Sequence, residues 1–258
     1  MSPDLYAAIV AAGTGLIFGS FATAVAHRVP RKESIVTGRS RCPSCGAEIR
    51  WFENIPLFGY LFLRGRCARC GVRISPRYPI IELTTALLFA LAVNRFEVSF
   101  EAAIYAAFFW TLVVLTAIDL EHKLLPNRIV YPAFIAGWVG LVALTLADGD
   151  AGRLIDAAVG ALVFGGFLFV VAFIVPAGMG GGDVKLGFLL GTFLGYAGGW
   201  GVVLVGMFLA FLLGGVIGVL LLLRGAGRKA QVPFGPFLAG GTVIALLCGR
   251  NILDWYLG

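Results

Sequence analysis

The chain has 258 residues, of which 59% are hydrophobic and only 13% are charged, and its mean hydropathy is +0.93. Soluble domains carry about 25% charged residues, so this composition excludes an ordinary soluble enzyme and predicts a polytopic membrane protein. The formal net charge of +6 is interpreted first as a membrane-insertion signal and second as attraction to anionic lipid headgroups. It is weak support for nucleic-acid binding, and no nucleic-acid partner is expected.

The first apolar run, 5–26, predicts a retained transmembrane helix rather than a cleaved signal peptide. No basic residue precedes this run, whereas Arg28, Arg31 and Lys32 follow it directly. This order of charges places the N-terminus on the outer face of the membrane and the next segment in the cytoplasm. We therefore expect 1–27 to form the first transmembrane helix.

The segment 28–79 is charged and contains many turn-forming residues, so we expect a small cytoplasmic domain. It holds two CxxC pairs, Cys42 with Cys45 and Cys67 with Cys70, and a glycine follows each pair. Four cysteines at this spacing suit a tetrahedral zinc site, and the expected fold is zinc-ribbon-like. Disulfides are disfavoured in a reducing cytosol, whereas iron in place of zinc stays open. Because four thiolates fill the coordination of the metal, its predicted role is structural.

The remaining chain, 80–258, predicts a membrane domain of about seven further transmembrane helices. Five apolar runs are long enough for one crossing each: 80–94, 102–118, 129–147, 154–175 and 235–250. The uncharged run 186–223 would be about 57 Å long as one helix, nearly twice the hydrocarbon thickness. The sequence YAGGWG within it predicts a break and therefore two crossings. The predicted fold class is an all-α polytopic membrane protein with about eight transmembrane helices.

The distribution of basic residues agrees with eight crossings. Of the 20 Lys and Arg residues, 17 fall in segments that this topology places on the cytoplasmic side. The other three, Arg95, Arg153 and Arg250, fall on the opposite side.

Two aspartates stand where long apolar runs end, Asp119 in AIDLEHKLLPN and Asp183 in GMGGGDVKLG. An ionised carboxylate at membrane depth costs at least about 2.5–3.5 kcal/mol, so an acid retained there is a functional candidate. Either residue alone could be an ordinary interface residue, but two predicted crossings separate them, which places both on the cytoplasmic face. Two close carboxylates share one proton, so one can activate water while the other polarises a carbonyl group. The pair predicts an aspartate-dependent intramembrane hydrolase.

Glycines precede Asp183 at Gly178, Gly180, Gly181 and Gly182. Because glycine has no Cβ, they would let a substrate backbone come close to the carboxylate, and a flexible turn between helices is the alternative. Lys185 is interpreted as an anchor on the positive side of the membrane, with a counter-charge to the aspartates as the alternative.

Four segments together resemble the bacterial type IV prepilin peptidases, which are bifunctional leader peptidases and N-methyltransferases of the GxGD type. The segment 40–82 resembles their zinc domain, and 117–127 resembles their first aspartate motif. The segment 178–187 resembles their second aspartate motif, and PFGPFLAGG at 233–241 resembles their C-terminal motif.

This resemblance implies that Asp119 and Asp183 are the catalytic pair, that Gly180, Gly182 and Lys185 support them, and that the four cysteines bind the metal. It implies cleavage of the basic leader of prepilins and pseudopilins at the cytoplasmic face of the bacterial inner membrane, in type IV pilus or type II secretion systems. It further implies methylation of the new N-terminus with S-adenosylmethionine, for which 28–79 shows no glycine-rich strand–helix signature.

Two other classes of protein are alternatives to a peptidase. A transporter would place acids and broken helices at membrane depth, but the sequence lacks the internal hydropathy symmetry of inverted repeats. A membrane-tethered binding module could use the basic zinc domain on nucleic acid or lipid, with Trp51, Phe52, Tyr60 and Phe62 as a stacking surface. In so small a domain, these aromatic residues are better interpreted as core or as a membrane contact. Asn127, where the family commonly has aspartate, bears on substrate preference.

Overall fold

The computed structural model describes residues 3–35, 40–175, 179–225 and 232–257. In these ranges the regular structure is helical, apart from two isolated β-bridges, and confirms the predicted all-α membrane class. The helices are α1 (Pro3–Arg28), α2 (Phe58–Phe62), α3 (Arg77–Phe96), α4 (Phe100–His122), α5 (Asn127–Asp148), α6 (Gly152–Ile174), α7 (Gly181–Leu223) and α8 (Gly235–Leu257). Within the described ranges, seven of them, all except α2, are long and apolar enough to cross a membrane.

Helix α7 consists of two helical segments joined at a sharp break. Gly198 and Gly199 leave the helical conformation, and Gly199 has a φ of +72°, which glycine adopts without steric cost. The side chain of Leu194 lies against Gly206, so that a Cβ built on this glycine would be 2.7 Å from Cδ1. In a straight helix these residues would be about 18 Å apart. The two segments therefore fold back as an antiparallel hairpin, which confirms the predicted break and gives eight crossings.

Two arginines complete the hydrogen bonding at this break. Arg153 Nε donates to the carbonyl oxygen of Tyr196 at 3.3 Å, and Arg250 donates to that of Ala197 at 2.7 Å. The Arg153 guanidinium also lies 4.0 Å from the centre of the Tyr196 ring. The last carbonyl groups of the first helical segment have no partner within that segment, and the two arginine side chains supply the missing donors. Arg153 and Arg250 therefore meet at the same turn, and their membrane side stays a prediction.

The chain folds into two compact units, Met1–Ile118 and Asp119–Gly258. In the first unit α1 packs against α3, with Gly15 against Ala86 and Gly19 against Glu82. The contacts run in opposite order along the two helices, so the helices are antiparallel. Helix α4 joins them through Trp110, whose Nε1 donates to the carbonyl oxygen of Phe18 at 2.9 Å.

In the second unit α6, the two segments of α7, and α8 pack antiparallel through glycines. Gly160 of α6 meets Gly191 and Gly195 of α7, whose backbone leaves no room for a Cβ there. Gly241 of α8 lies against Ala210 in the same way. Small residues let membrane helices approach closely, and the close approach replaces the hydrophobic driving force that is absent between helices in lipid.

One helix boundary expected from the sequence is wrong. The apolar run 102–118 suggested that this helix ends at Ile118, but α4 continues to His122. The backbone N–H of Lys123 donates to the carbonyl oxygen of Asp119 at 2.8 Å, so helical hydrogen bonding continues beyond the apolar residues. Asp119 therefore lies in the last turn of a helix rather than after it.

Candidate active site and metal centre

Asp119 is a buried carboxyl group that meets the start of another helix. Its residue is only 5% exposed, and its Oδ2 accepts a hydrogen bond of 3.0 Å from the backbone N–H of Gly235, the first residue of α8. The first N–H groups of a helix have no partner within the helix and carry its partial positive charge. Asp119 needs this donor because the last turn of its own helix disfavours an anion.

Asp183 meets the start of its own helix. It is the third residue of α7, and its Oδ2 accepts a hydrogen bond of 3.1 Å from the backbone N–H of Gly180. This is one half of a capping-box arrangement, in which an acidic side chain closes the first turn of a helix. The residue is half-buried, so its carboxyl group stays open to approach from one side.

The two carboxyl groups share one neighbouring side chain, Leu125. Leu125 connects their surroundings, because it packs against Gly182 beside Asp183 and against Gly235 beside Asp119. A Cβ built on Gly182 would be 3.0 Å from the Leu125 Cβ, and one built on Gly235 would be 3.5 Å from its Cδ2. The structure thus brings the two predicted aspartates together. Sequence reasoning missed the roles of Leu125 and Gly235, although both lie in motifs that it quoted.

Lys185 points to α5 rather than to either aspartate. Its Nζ donates to Asn127 Oδ1 at 2.9 Å and lies 5.4 Å from the centre of the Tyr131 ring. Of the glycines before Asp183, Gly180 and Gly181 are exposed, and a Cβ on Gly181 would meet no atom within 4 Å. Gly178 lies outside the described residues.

The four cysteines of the first unit form two matching loops whose residues correspond at an offset of 25. Cys42 N–H donates to Ala47 O at 2.9 Å, and Cys67 N–H donates to Val72 O at 2.8 Å. Gly46 and Gly71 follow the second cysteine of each loop, and both have a φ of +70°. The glycine that sequence reasoning placed after each pair therefore makes the turn that brings each pair of thiols together.

The sulfur atoms of Cys42, Cys45, Cys67 and Cys70 all lie within 4.8 Å of one another. The sulfurs of Cys42 and Cys70 are 3.9 Å apart. Four sulfurs at about 2.3 Å from a tetrahedral zinc ion would be about 3.8 Å apart, so the four thiols could hold such an ion after shifts of at most about 1 Å.

The pKa values of two of these thiols also favour a metal site. The backbone N–H groups of Cys45 and Ser44 lower the pKa of Cys42 to about 6. The N–H of Val72 acts on Cys70 in the same sense, but burial and the neighbouring thiols outweigh it and raise the pKa of Cys70 to about 11. Cys42 thus loses its proton readily whereas Cys70 keeps its proton, because two thiolates at this distance would repel each other. A bound dication would remove this repulsion, and the cluster therefore forms a candidate metal centre.

Comparison with known proteins identifies the class of the chain. Residues 14–96 match the family model of the bacterial peptidase A24 N-terminal domain, and residues 106–219 match that of the type IV leader peptidase family. The chain is therefore a membrane peptidase.

The chain belongs to the type IV leader peptidase family, as its motifs predicted. It is 37% identical over 275 residues to the prepilin leader peptidase/N-methyltransferase of Pseudomonas aeruginosa, covering 94% of this chain and 91% of that protein. It is 36% identical over 244 residues to the protein of the same name from Bacillus subtilis, covering 94% and 95%. It is 43% identical over 213 residues to that of Myxococcus xanthus, covering 81% and 61%. No solved structure matches the chain.

We predict that the protein purified without chelators carries about one zinc ion per chain and that Cys42→Ser or Cys70→Ser removes most of it, since a structural zinc site needs all four ligands. Elemental analysis by mass spectrometry measures the metal, and loss of thermal stability should accompany its loss. Cys248→Ser, which changes a cysteine of α8, is the matched control. Unchanged zinc in both ligand variants would contradict the metal centre.

Proposed function

We propose that the protein is an intramembrane aspartic endopeptidase that removes the basic leader from type IV prepilins and pseudopilins on the cytoplasmic side and methylates the new N-terminal residue. Its relatives of this family are named for both activities. Within the proposal, 1–27 is the first transmembrane helix, 28–79 is the cytoplasmic zinc domain and 80–258 is the membrane peptidase domain.

The observation that carries the peptidase assignment is the pairing of Asp119 and Asp183. Each carboxyl group uses its Oδ2 for one backbone hydrogen bond at the start of a helix. The second oxygen of each group is left to hold water or a substrate carbonyl. In the proposed mechanism the pair holds one proton, because two carboxyl groups that face one substrate resist ionising at the same time.

This proton state supports hydrolysis of a peptide bond. The ionised aspartate removes a proton from water as the water oxygen attacks the scissile carbonyl carbon, and the protonated aspartate gives its proton to the carbonyl oxygen. The tetrahedral intermediate then collapses: the aspartate that took the proton from water gives it to the nitrogen, the other aspartate takes a proton from a hydroxyl of the intermediate, and the C–N bond breaks. The products are a carboxyl group and an amine, one water molecule is consumed, and the pair again holds one proton.

The approach to Asp183 supports an extended peptide substrate. Gly180 and Gly181 are exposed beside the carboxyl group, and no side chain stands over Gly181 within 4 Å. A substrate backbone needs such a surface, because helical peptide bonds are already hydrogen-bonded and shielded from attack. Gly180 and Gly181 thus leave room for a substrate backbone beside Asp183, whereas Gly182 packs against Leu125.

Charge distribution supports the side and the type of substrate. The positive-inside distribution of 17 of the 20 Lys and Arg residues favours a cytoplasmic position for both aspartates. A precursor whose apolar helix lies in the bilayer presents its basic leader at that same face. The scissile bond, at the junction of leader and helix, would then lie at the depth of the pair.

Methyl transfer requires a methyl donor, and S-adenosylmethionine is the donor that the proposal names. In the described part of the chain no strand leads through a glycine-rich turn into a helix, so the common fold for this cofactor does not fit here and no residue is assigned to it. The zinc would hold the two cysteine loops together and would take no part in cleavage, because all its ligand positions are filled.

We predict that Asp119→Asn and Asp183→Asn each lower prepilin cleavage by at least about a hundredfold, because the amide can neither accept nor donate the transferred proton. Cleavage of a co-reconstituted prepilin is measured by mass spectrometry of the mature N-terminus. Glu101→Gln, which changes an acid in the first turn of the same helix as Asp119, is the matched control and should cleave normally. Near wild-type cleavage by either asparagine variant would refute the pair.

We also predict that Gly235→Ala lowers kcat about 10- to 100-fold with little change in KM, since small displacements of a reacting group are costly. A Cβ at Gly235 would lie 2.6 Å from Asp119 Oδ2 and would push the carboxyl group aside. Gly240→Ala in the same helix is the control, because the nearest atom to its Cβ would be 3.4 Å away. Equal kcat in the two variants, with both folded, would show that the Gly235 contact does not position Asp119.

A further inference from the structure

Four large apolar side chains of the zinc domain are exposed in the part of the chain that the structure describes. They belong to the 3-10 turn Trp51–Asn54 and to α2, and we call them the aromatic patch: Trp51 (81% exposed), Phe58 (55%), Leu61 (68%) and Phe62 (83%). A water-soluble domain seldom leaves so many large apolar residues together on its surface, and such a patch marks a contact with another apolar phase.

The patch is fixed at a defined level along a membrane helix. The backbone N–H of Leu57, between the turn and α2, donates to Glu82 Oε2 in α3 at 2.8 Å. Glu82 is the sixth residue of α3, so this contact lies about 8 Å along the helix from its start. That distance is similar to the thickness of the headgroup layer, about 5–8 Å on each side of the bilayer.

This attachment is part of the fold. Glu82 is buried, and Leu57 adopts φ +60° and ψ −50°, a conformation that an L-residue keeps only where the surrounding structure holds it. Gly59, just beyond, packs against the carbonyl oxygen of Glu53 so closely that a Cβ would not fit. Turn and α2 thus form one compact piece beside α3, and the patch cannot swing away into water.

Beside the patch lies a basic cavity of about 540 Å³, which we call the arginine pocket. Arg64, Arg66 and Arg73 line it, together with Tyr60 of α2. In the described part of the chain none of these three arginines forms a salt bridge. Three uncompensated guanidinium groups in one cavity suit a phosphate group, to which arginine can donate two parallel hydrogen bonds.

We propose that the aromatic patch and the arginine pocket together form a membrane-surface anchor, in which the patch enters the headgroup layer and the pocket binds the phosphate of an anionic phospholipid. Aromatic and aliphatic side chains next to basic ones are the composition of elements that lie in a membrane interface. Trp is favoured there because its ring is apolar while its N–H stays hydrated. The anchor seats the zinc domain against the leaflet at which α3 begins.

The experiment uses the full-length protein in nanodiscs containing lipids brominated either near the headgroup or deep in the acyl chain. The difference in fluorescence between wild type and Trp51→Phe isolates the signal of Trp51 from that of the other tryptophans. We expect headgroup-proximal bromine to quench Trp51 more than deep bromine does. We expect this quenching to be stronger in discs with phosphatidylglycerol than in discs of phosphatidylcholine alone.

Arg64→Gln/Arg73→Gln should remove the dependence on phosphatidylglycerol. Arg41→Gln/Arg69→Gln, which removes the same charge from the same domain outside the pocket, should keep it. If both double variants lost the dependence on phosphatidylglycerol equally, net charge alone would explain it, and the pocket would not be a phosphate-binding site.

Three other results would overturn the anchor. Quenching of Trp51 by aqueous iodide with no effect of bromine would place the patch in water. Shielding of Trp51 from both quenchers would place protein over it. Finally, protection of Trp51 by single-stranded DNA in phosphatidylcholine discs would assign this surface to nucleic acid.

Discussion

The site depends on backbone N–H groups at the starts of two helices. Gly235, at the start of α8, donates to Asp119, and Gly180, just before α7, donates to Asp183. Asp119 is buried and Asp183 is half-buried, which makes an unsupported charge costly, and the helix starts supply donors that no other group of the helix uses. The packing of α6, α7 and α8 through glycines then fixes where these starts lie. A change in helix packing would therefore move the acids, even with both side chains intact.

The four-cysteine segment is stabilised by a different physical principle. The segment 28–79 has few buried apolar residues, and its two cysteine loops, which repeat at an offset of 25, fold around four thiols instead of a hydrophobic core. A metal can supply the folding free energy that so short a segment lacks. Leu57 and Glu82 then link this domain to α3, so the metal centre and the membrane helix form parts of one unit.

Much of the fold could be predicted because the bilayer imposes strong constraints on composition. Hydropathy located the helices, YAGGWG located the break in α7, and the CxxC spacing located the thiol cluster. Counting crossings predicts that Asp119 and Asp183 lie on one face, and in the structure Leu125 packs against Gly182 beside Asp183 and against Gly235 beside Asp119.

The features that could not be predicted from the sequence are backbone hydrogen bonds and contacts between residues distant in the chain. Hydropathy detects the edge of the hydrocarbon, not the end of a helix, so the continuation of α4 to His122 was missed. Gly235 lies 116 residues from Asp119, and no local sequence pattern predicts the hydrogen bond from its N–H to that carboxyl group. Lys185 left two interpretations open from sequence, and its bond to Asn127 is a side-chain contact between two helices that neither interpretation contained.

The central claim, that the two aspartates act as one chemical unit, is tested most directly by a double-mutant cycle on prepilin cleavage. Groups that act together lose most of their effect when either is removed, so Asp119→Asn/Asp183→Asn should cleave about as slowly as each single variant. Losses that multiply in the double variant would show that the two residues act independently, and would contradict a shared-proton pair.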